Sequence, residues 1–395
     1  MSHLRLALLL GMTVALAPLA IDAYLPAFPS IANDLDISHS QVGLTLSAYI
    51  MTLGLGQLIG GPLSDRYGRR PILFGGLLMF AAGGVMVSLA DTLSEMVLWR
   101  MSQAVGGAFC AVSVPAIVRD QVSGQDAARL FSLIGLIMFI APAAAPSLGT
   151  LMLALGDWHW IFLVLAAYAG CLMVALNLAL FPKLAPQSLA KTPVRTLVTN
   201  YLLVLKHGTT MRFIGIQVLC FSMMLLFITH SSFIYQEWYG LSNSHFSILF
   251  AANIGLMAVL NLGNRPLLKR FQSAVLVRAY VILQCIALVA LVTAVWFGGA
   301  LWMVATCIIL AVGSQGGIVP NNMANAMEFF PRLSGTASAL LGASQFTIAG
   351  AVSTLSSSFG DLSLMTIAAG MLTCSLGAAA LALGAPGAVN RAKSL

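Results

Sequence analysis

Charged residues are scarce in this chain of 395 residues, at 8% of the total, whereas apolar residues make up 59%. Soluble domains carry about 25% charged and about 45–50% apolar residues. The shortage of charge excludes a water-soluble core and predicts an integral membrane protein. The net charge of +7 does not indicate a nucleic-acid partner, because the basic residues are spread over short loops and form no single patch.

The sequence also lacks several motifs that are typical of disulfide-bonded, metal-binding and catalytic proteins. The six cysteines lie inside apolar runs without paired spacing, so we expect neither a disulfide framework nor a metal site. No Gly-x-x-x-x-Gly-Lys-Ser/Thr loop is present, which excludes nucleotide hydrolysis by this chain. His, Asp and Glu are not clustered as a membrane enzyme would require. The sequence therefore predicts no catalytic residues and no cofactor, and an energy supply from a gradient.

Long apolar runs fill most of the chain. At about 20 residues for each crossing, they predict an all-α membrane protein with twelve transmembrane helices. The N-terminal run is too long for a signal-peptide core and carries Asp22, so we expect it to remain as the first span. The predicted spans cover about 6–31, 42–62, 72–90, 95–117, 130–154, 158–181, 211–234, 245–263, 275–296, 300–325, 332–356 and 362–386.

The basic residues predict the topology. If the loop around Arg66 is cytoplasmic, all but one of the nineteen Lys and Arg residues lie in cytoplasmic loops, span ends or termini. The exception is Arg100, inside the fourth span. Both termini are then cytoplasmic.

A charged, proline-containing stretch divides the spans into two sets of six. We predict an N-terminal half at 1–181, a cytoplasmic linker at 182–210 and a C-terminal half at 211–395. The basic pair Arg69 and Arg70 has a counterpart in Lys269 and Arg270 of the second half, which fits a duplicated six-helix unit. Such an architecture places a ligand site near the midplane between the halves.

The first span carries an acid that needs an explanation. A carboxylate in hydrocarbon is costly, and Asp22 lies between Pro18 and Pro26, with Pro29 following. Pro26 should leave the Asp22 carbonyl unpaired and Pro29 that of Leu25, which is tolerated only against protein or a watery cavity. We therefore predict that Asp22 binds the coupling proton and that Tyr24 and Pro26 line the path. A solvated position of Asp22 near the outer surface is the alternative.

Arg100 is the natural partner for a buried acid. Gln103 shares its helix face at i,i+3, and both are candidates for the transport path. A snorkelling arginine near the outer end of the span is the alternative.

The stretch GPLSDRYGRRP at 61–71 concentrates charge between two spans. Gly61 and Gly68 are expected to turn the backbone, and Asp65 and Arg69 can form an ion pair if the loop is helical. The residues that carry the pattern of this loop are Gly61, Asp65, Arg66, Gly68, Arg69 and Arg70.

This loop resembles the signature of the major facilitator superfamily of transporters. The stretches AIDAYLPAFP at 20–29, GQLIGGPLSDRYGRRP, DWHWIF at 157–162 and NAMEFFPRLSGTAS at 325–338 are similar to its Bcr/CflA branch, named for bicyclomycin and chloramphenicol resistance. The resemblance implies a proton-driven exporter of drugs or metabolites in the bacterial inner membrane. It also implies a coupling role for the span 4 arginine, and a loop that docks against the second half to close the cytoplasmic side.

The fifth span reads APAAAPSLG at 141–149. Pro142, Pro146 and Gly149 predict a kinked, smooth surface for close packing. The stretch resembles the antiporter motif of exporters in the superfamily, except that Ala141 and Ala145 stand where glycines are usual.

The second half has no charged residue at mid-depth, so we expect proton chemistry in the first half. Its amides and hydroxyls serve either interhelical hydrogen bonds or ligand contacts, and the first is the more common use. His230 is read as a satisfied histidine, with a proton relay as the alternative. The remaining cavity candidates are His230, Tyr235, Asn253 and Asn321.

Together these features predict a monomeric secondary transporter that exchanges protons for a small amphiphilic substrate in the bilayer. With one acid and one basic residue in the spans, a neutral or zwitterionic compound fits better than a dianion or dication. Import of a nutrient is the alternative, and a sensor or membrane enzyme is a further one.

Overall fold

A computed structural model describes residues 3–122, 124–183, 194–330, 333–358 and 363–384. In that part of the chain there is no strand, and twelve helices are long and apolar enough to cross a membrane. The all-α prediction of twelve spans is confirmed. We number them span 1 to span 12: Leu4–Asp34, His39–Tyr67, Arg69–Val87, Leu93–Gln121, Arg129–Leu155, His159–Leu180, Gly208–Trp238, Asn243–Leu267, Ser273–Trp296, Leu301–Met327, Gly335–Ser357 and Leu364–Leu383.

The helices of spans 2 and 4 extend past the apolar segments that the sequence indicates, because hydrogen bonding continues into polar residues at their ends. Span 2 begins with a capping box in which Ser38 and Gln41 each accept from the other's backbone N–H, at 3.2 and 2.8 Å. The Thr92 hydroxyl accepts from the Glu95 N–H at 3.3 Å and caps span 4 in the same way. Hydropathy marks the hydrocarbon crossing and misses such ends.

Four spans are not regular α-helices throughout. Span 1 consists of His3–Asp22, a tight turn at Leu25–Ala27 and Phe28–Asp34. Span 10 divides at Ser314 into Leu301–Gly313 and Gln315–Met327. Spans 6 and 7 end in wider π-helical turns.

The chain forms two compact units. Unit 1 consists of Met1–Pro193 and Ser231–Ala251, and unit 2 of Val194–His230 and Ala252–Leu395. Residues 184–193 of the predicted linker lie outside the described residues, and Val194–Leu205 of the same stretch is a helix. The division at 182–210 therefore stays a prediction.

Apolar side chains cover much of the protein surface, while several polar ones inside the spans are buried. Leu155, Trp296 and Phe297 are at least 74% exposed, whereas Asp22, Arg100 and Gln103 are at most 4% exposed. A soluble protein shows the opposite arrangement. This distribution is what a chain surrounded by lipid requires, since only its interior offers partners for polar groups.

Candidate functional site

The break in span 1 puts Asp22 at the end of a helix. Asp22 is the last residue of His3–Asp22, is 4% exposed, and its Oδ1 has no hydrogen-bond partner among the described residues. A helix C-terminus carries partial negative charge from its unpaired carbonyls. A carboxylate there, without donors and away from water, is costly, so the position favours a carboxyl that holds a proton.

The break also leaves backbone carbonyls that need donors. The prediction for Leu25 is wrong, because its carbonyl accepts from the Phe28 N–H within the tight turn. The Ala20 carbonyl instead accepts from Arg100 Nη2 at 3.0 Å. A guanidinium from span 4 thus caps the interrupted helix of span 1.

Arg100 itself is fully buried and held by several contacts. Its Nη1 donates to Gln103 Oε1 at 2.8 Å, as the i,i+3 spacing predicts. The guanidinium carbon lies 4.4 Å from the ring centre of Tyr24, 4.2 Å from that of Tyr49 and 5.5 Å from that of Phe162. Aromatic faces stabilise a cation by about 0.5–2 kcal/mol each, so the arginine is caged and does not snorkel to the surface.

From the sequence, Arg100 is the natural partner for a buried acid, but no ion pair joins Asp22 and Arg100 among the described residues. The arginine uses a backbone carbonyl, an amide and aromatic rings as partners. The buried acid and the buried base therefore belong to one region of unit 1 without neutralising each other.

The span 5 motif packs against the same break. The helix Gly124–Leu155 contains both Pro142 and Pro146. A Cβ placed on Gly149 would overlap the carbonyl of Ala23, directly after Asp22. Span 5 can approach span 1 this closely only because position 149 has no side chain.

The other candidates of unit 1 are also buried. The Tyr24 hydroxyl lies 3.2 Å from that of Thr45, which fixes the ring beside Arg100. The Pro26 carbonyl accepts from Gln236 Nε2 at 3.3 Å, and Tyr235 is fully buried in the neighbouring turn. Gln236 thereby joins the C-terminal end of span 7 to the turn of span 1.

The candidates of unit 2 are largely engaged with other helices. His230 Nε2 lies 3.0 Å from the Ser356 hydroxyl of span 11. Asn321 donates to Asn264 Oδ1 of span 8 at 2.8 Å, and Asn253 is buried. For His230 and Asn321 this is the pattern of interhelical hydrogen bonding.

The charged loop between spans 2 and 3 is organised around Arg69. Gly68 separates the two helices with φ of 99°, a conformation that favours glycine. Arg69 pairs with Asp65, and its Nε lies 3.0 Å from Asp120 Oδ2 at the end of span 4. The predicted ion pair is present, although Gly68 interrupts the helix between Asp65 and Arg69.

The remaining loop residues are Gly61, Arg66 and Arg70. Gly61 lies inside the helix His39–Tyr67, so the prediction that it turns the backbone is wrong. Arg70 Nη2 donates to Asn177 of span 6 at 2.9 Å, and Arg66 lies over the Tyr67 ring. The loop is therefore tied to spans 4 and 6 of unit 1.

We expect Asp65→Asn and Asp120→Asn to slow transport by about tenfold while leaving substrate affinity largely unchanged. Each removes a charged hydrogen bond to Arg69, which typically contributes about 1.5–3 kcal/mol. Initial rates of transport and equilibrium binding, measured on the purified variants, separate the two effects. Asp126→Asn is the control, because it removes an acid of the exposed pair Asp126–Arg129. Loss of binding in a folded Asp65→Asn protein would place the loop in the ligand site.

Several residues of this region could not be identified from the sequence alone. Tyr49 and Phe162 cage Arg100, yet aromatic residues in apolar runs carry no signal of their own. Phe162 does belong to the DWHWIF stretch. Asp120 beside Arg119 was visible as a charged span end, but its pairing with Arg69 requires the fold.

Comparison with known proteins agrees with this architecture. The model of the Major Facilitator Superfamily matches residues 10–354, so the chain belongs to that family of transporters and is not an enzyme. An uncharacterized MFS-type transporter, YdgK of Bacillus subtilis, is 34% identical over 346 residues, covering 86% of this chain and 85% of that protein. A bicyclomycin resistance protein homolog of Haemophilus influenzae is 29% identical over 343 residues, covering 86% of each chain. The resemblance to the Bcr/CflA branch is thereby confirmed.

A solved structure supports the fold. A D-xylose-proton symporter superposes with a TM-score of 0.74 over 95% of this chain and 96% of that chain, at 16% identity. At that identity the likeness establishes the fold alone. Its membership of the Major Facilitator Superfamily and its twelve spans make the protein a multi-pass membrane transporter for small molecules.

Proposed function

We propose that this transporter exports small, moderately apolar compounds from a bacterial cell in exchange for protons. The observation that carries the proposal is Asp22, a buried carboxyl at the interrupted helix of span 1 whose Oδ1 has no hydrogen-bond partner among the described residues. Such a group can bind a proton from one side and lose it when a substrate or water changes its surroundings. No cofactor is needed beside the proton gradient.

Arg100 has a second role in this proposal. With Asp22 protonated, the guanidinium relies on the Ala20 carbonyl, Gln103 and the aromatic rings. Once Asp22 loses its proton, a carboxylate and a guanidinium stand in one buried region, and their attraction favours a different packing of spans 1 and 4. The proton thereby selects between two conformations.

The direction of transport rests on the relatives. The Haemophilus protein is named for bicyclomycin resistance, which fits outward movement of a drug. The interior of the spans offers one acid and one base, with amides, hydroxyls, Met and Phe otherwise, and this suits neutral or zwitterionic amphiphiles. The inner membrane and cytoplasmic termini belong to the same proposal.

The D-xylose-proton symporter that shares the fold favours a second candidate, proton-coupled import of a nutrient. A screen of drug susceptibility and metabolite release, in cells lacking or overproducing the protein, separates the two. We expect resistance to, or release of, at least one compound on overproduction. Faster accumulation of a compound inside overproducing cells would overturn the export assignment.

A further inference from the structure

Unit 2 contains a cavity of about 100 Å³ where spans 7 and 9 begin and spans 10 and 12 end. Arg212 and Arg278 line it, together with Asn325 and Glu328. Neither the cavity nor its arginines take part in the proton site described above.

The two arginines converge on one end of span 12. Arg212 donates through Nε to the Leu381 carbonyl and through Nη2 to the Ala382 carbonyl at 2.8 Å. Arg278 donates through Nε to the same Ala382 carbonyl at 3.0 Å. Two positive charges are therefore held within a few ångströms of each other.

A further donor faces the cavity without a partner. Asn325 is 5% exposed and lines the cavity, and its Nδ2 has no hydrogen-bond partner among the described residues. Buried amide donors are normally satisfied, so an unsatisfied one beside two guanidinium groups indicates a missing acceptor. Glu328 is exposed at the same cavity and contributes one negative charge against two positive ones.

The walls of the cavity are apolar. Phe213, Ile216 and Val277 line it beside the charged groups. Planar guanidinium groups hydrogen-bond phosphate oxygens in pairs. Basic pockets between membrane helices at the cytoplasmic side are suited to phosphate-bearing lipid headgroups, and an apolar wall suits the glycerol and acyl part of the same molecule.

We propose that this cavity binds the phosphate group of an anionic phospholipid through Arg212, Arg278 and Asn325. The bound headgroup contacts both arginines and ties the ends of spans 7, 9, 10 and 12 together. Free phosphate offers the same oxygens without the acyl chains, so the source of the phosphate is part of the test.

The experiment uses the purified full-length protein in detergent, titrated with dioleoylphosphatidylglycerol. Native mass spectrometry measures lipid binding, and the thermal midpoint Tm measures stabilisation. We expect one tightly held lipid and a rise in Tm for the wild type. Arg212→Gln combined with Arg278→Gln should weaken lipid binding by about tenfold or more, since charged hydrogen bonds are lost. Arg270→Gln removes an equal charge from an exposed loop position and should change neither quantity.

Because the two arginines also cap span 12, a second variant keeps the test independent of folding. Asn325→Asp preserves the size of the side chain and the acceptor for Ser273, and it adds a negative charge to the cavity. We expect it to weaken lipid binding in the same direction. Unchanged lipid affinity in Asn325→Asp, or equal affinity in the arginine variant and the Arg270→Gln control, would overturn the proposal. Equal stabilisation by millimolar inorganic phosphate alone would also overturn it, because the ligand would then be a soluble anion.

Discussion

Asp22→Asn is expected to abolish proton-driven accumulation in vesicles. If one proton is exchanged for each substrate, a gradient of one pH unit supports up to about tenfold accumulation, since each unit is worth about 1.4 kcal/mol. The amide cannot take up or release that proton, so accumulation should fall to the level of equilibration. The measurement is uptake into everted vesicles with an imposed pH gradient.

The control for this variant is Asp91→Asn. Asp91 is exposed between spans 3 and 4, and its change removes the same charge without touching span 1. We expect normal accumulation in that variant. Proton-driven accumulation that persists in the Asp22→Asn vesicles would refute the assignment of Asp22.

Gly149→Ala is expected to lower stability and transport together. In an ordinary helix interior this change would stabilise by up to about 1 kcal/mol. Here the added Cβ overlaps the Ala23 carbonyl, which belongs to the backbone and cannot swing aside. Overpacking of this kind costs about 1–3 kcal/mol or more, so we expect a lower thermal midpoint Tm. The displaced Ala23 directly follows Asp22, so we expect transport to fall as well.

The same helix provides a matched control. Gly135 lies in Gly124–Leu155, and nothing stands within 4 Å of a Cβ built there. Gly135→Ala should therefore leave the thermal midpoint unchanged or raise it slightly. A Tm for Gly149→Ala equal to that of Gly135→Ala would show that the contact with span 1 is not tight.

The spans could be predicted because segments that cross the hydrocarbon of a membrane must be mostly apolar. Asp22 could be singled out because an acid is rare in such a segment. The Arg100 bond to Gln103 could be predicted as well, since i,i+3 spacing fixes neighbours within one helix. The bond from Arg100 to the Ala20 carbonyl could not be predicted, because every residue has a carbonyl and only the break in span 1 leaves this one available.

Contacts between different helices could not be predicted from one sequence. Gly149 was expected to serve close packing, but its partner Ala23 depends on the register of spans 1 and 5. Arg69 was expected to pair with Asp65, while Asp120 reaches it from the far end of another span. Gly61 was predicted to turn the backbone but lies inside a helix, because glycine beside charged residues is compatible with both a turn and the end of a helix.

The central claim is that Asp22 exchanges its proton for substrate. The most direct test is the number of protons released when a transported compound, taken from the susceptibility screen, binds to the purified protein in weakly buffered detergent at neutral pH. The account predicts release of about one proton for each bound compound in the wild type, and none in an Asp22→Asn protein that still binds the compound. Equal proton release from the two proteins would contradict it.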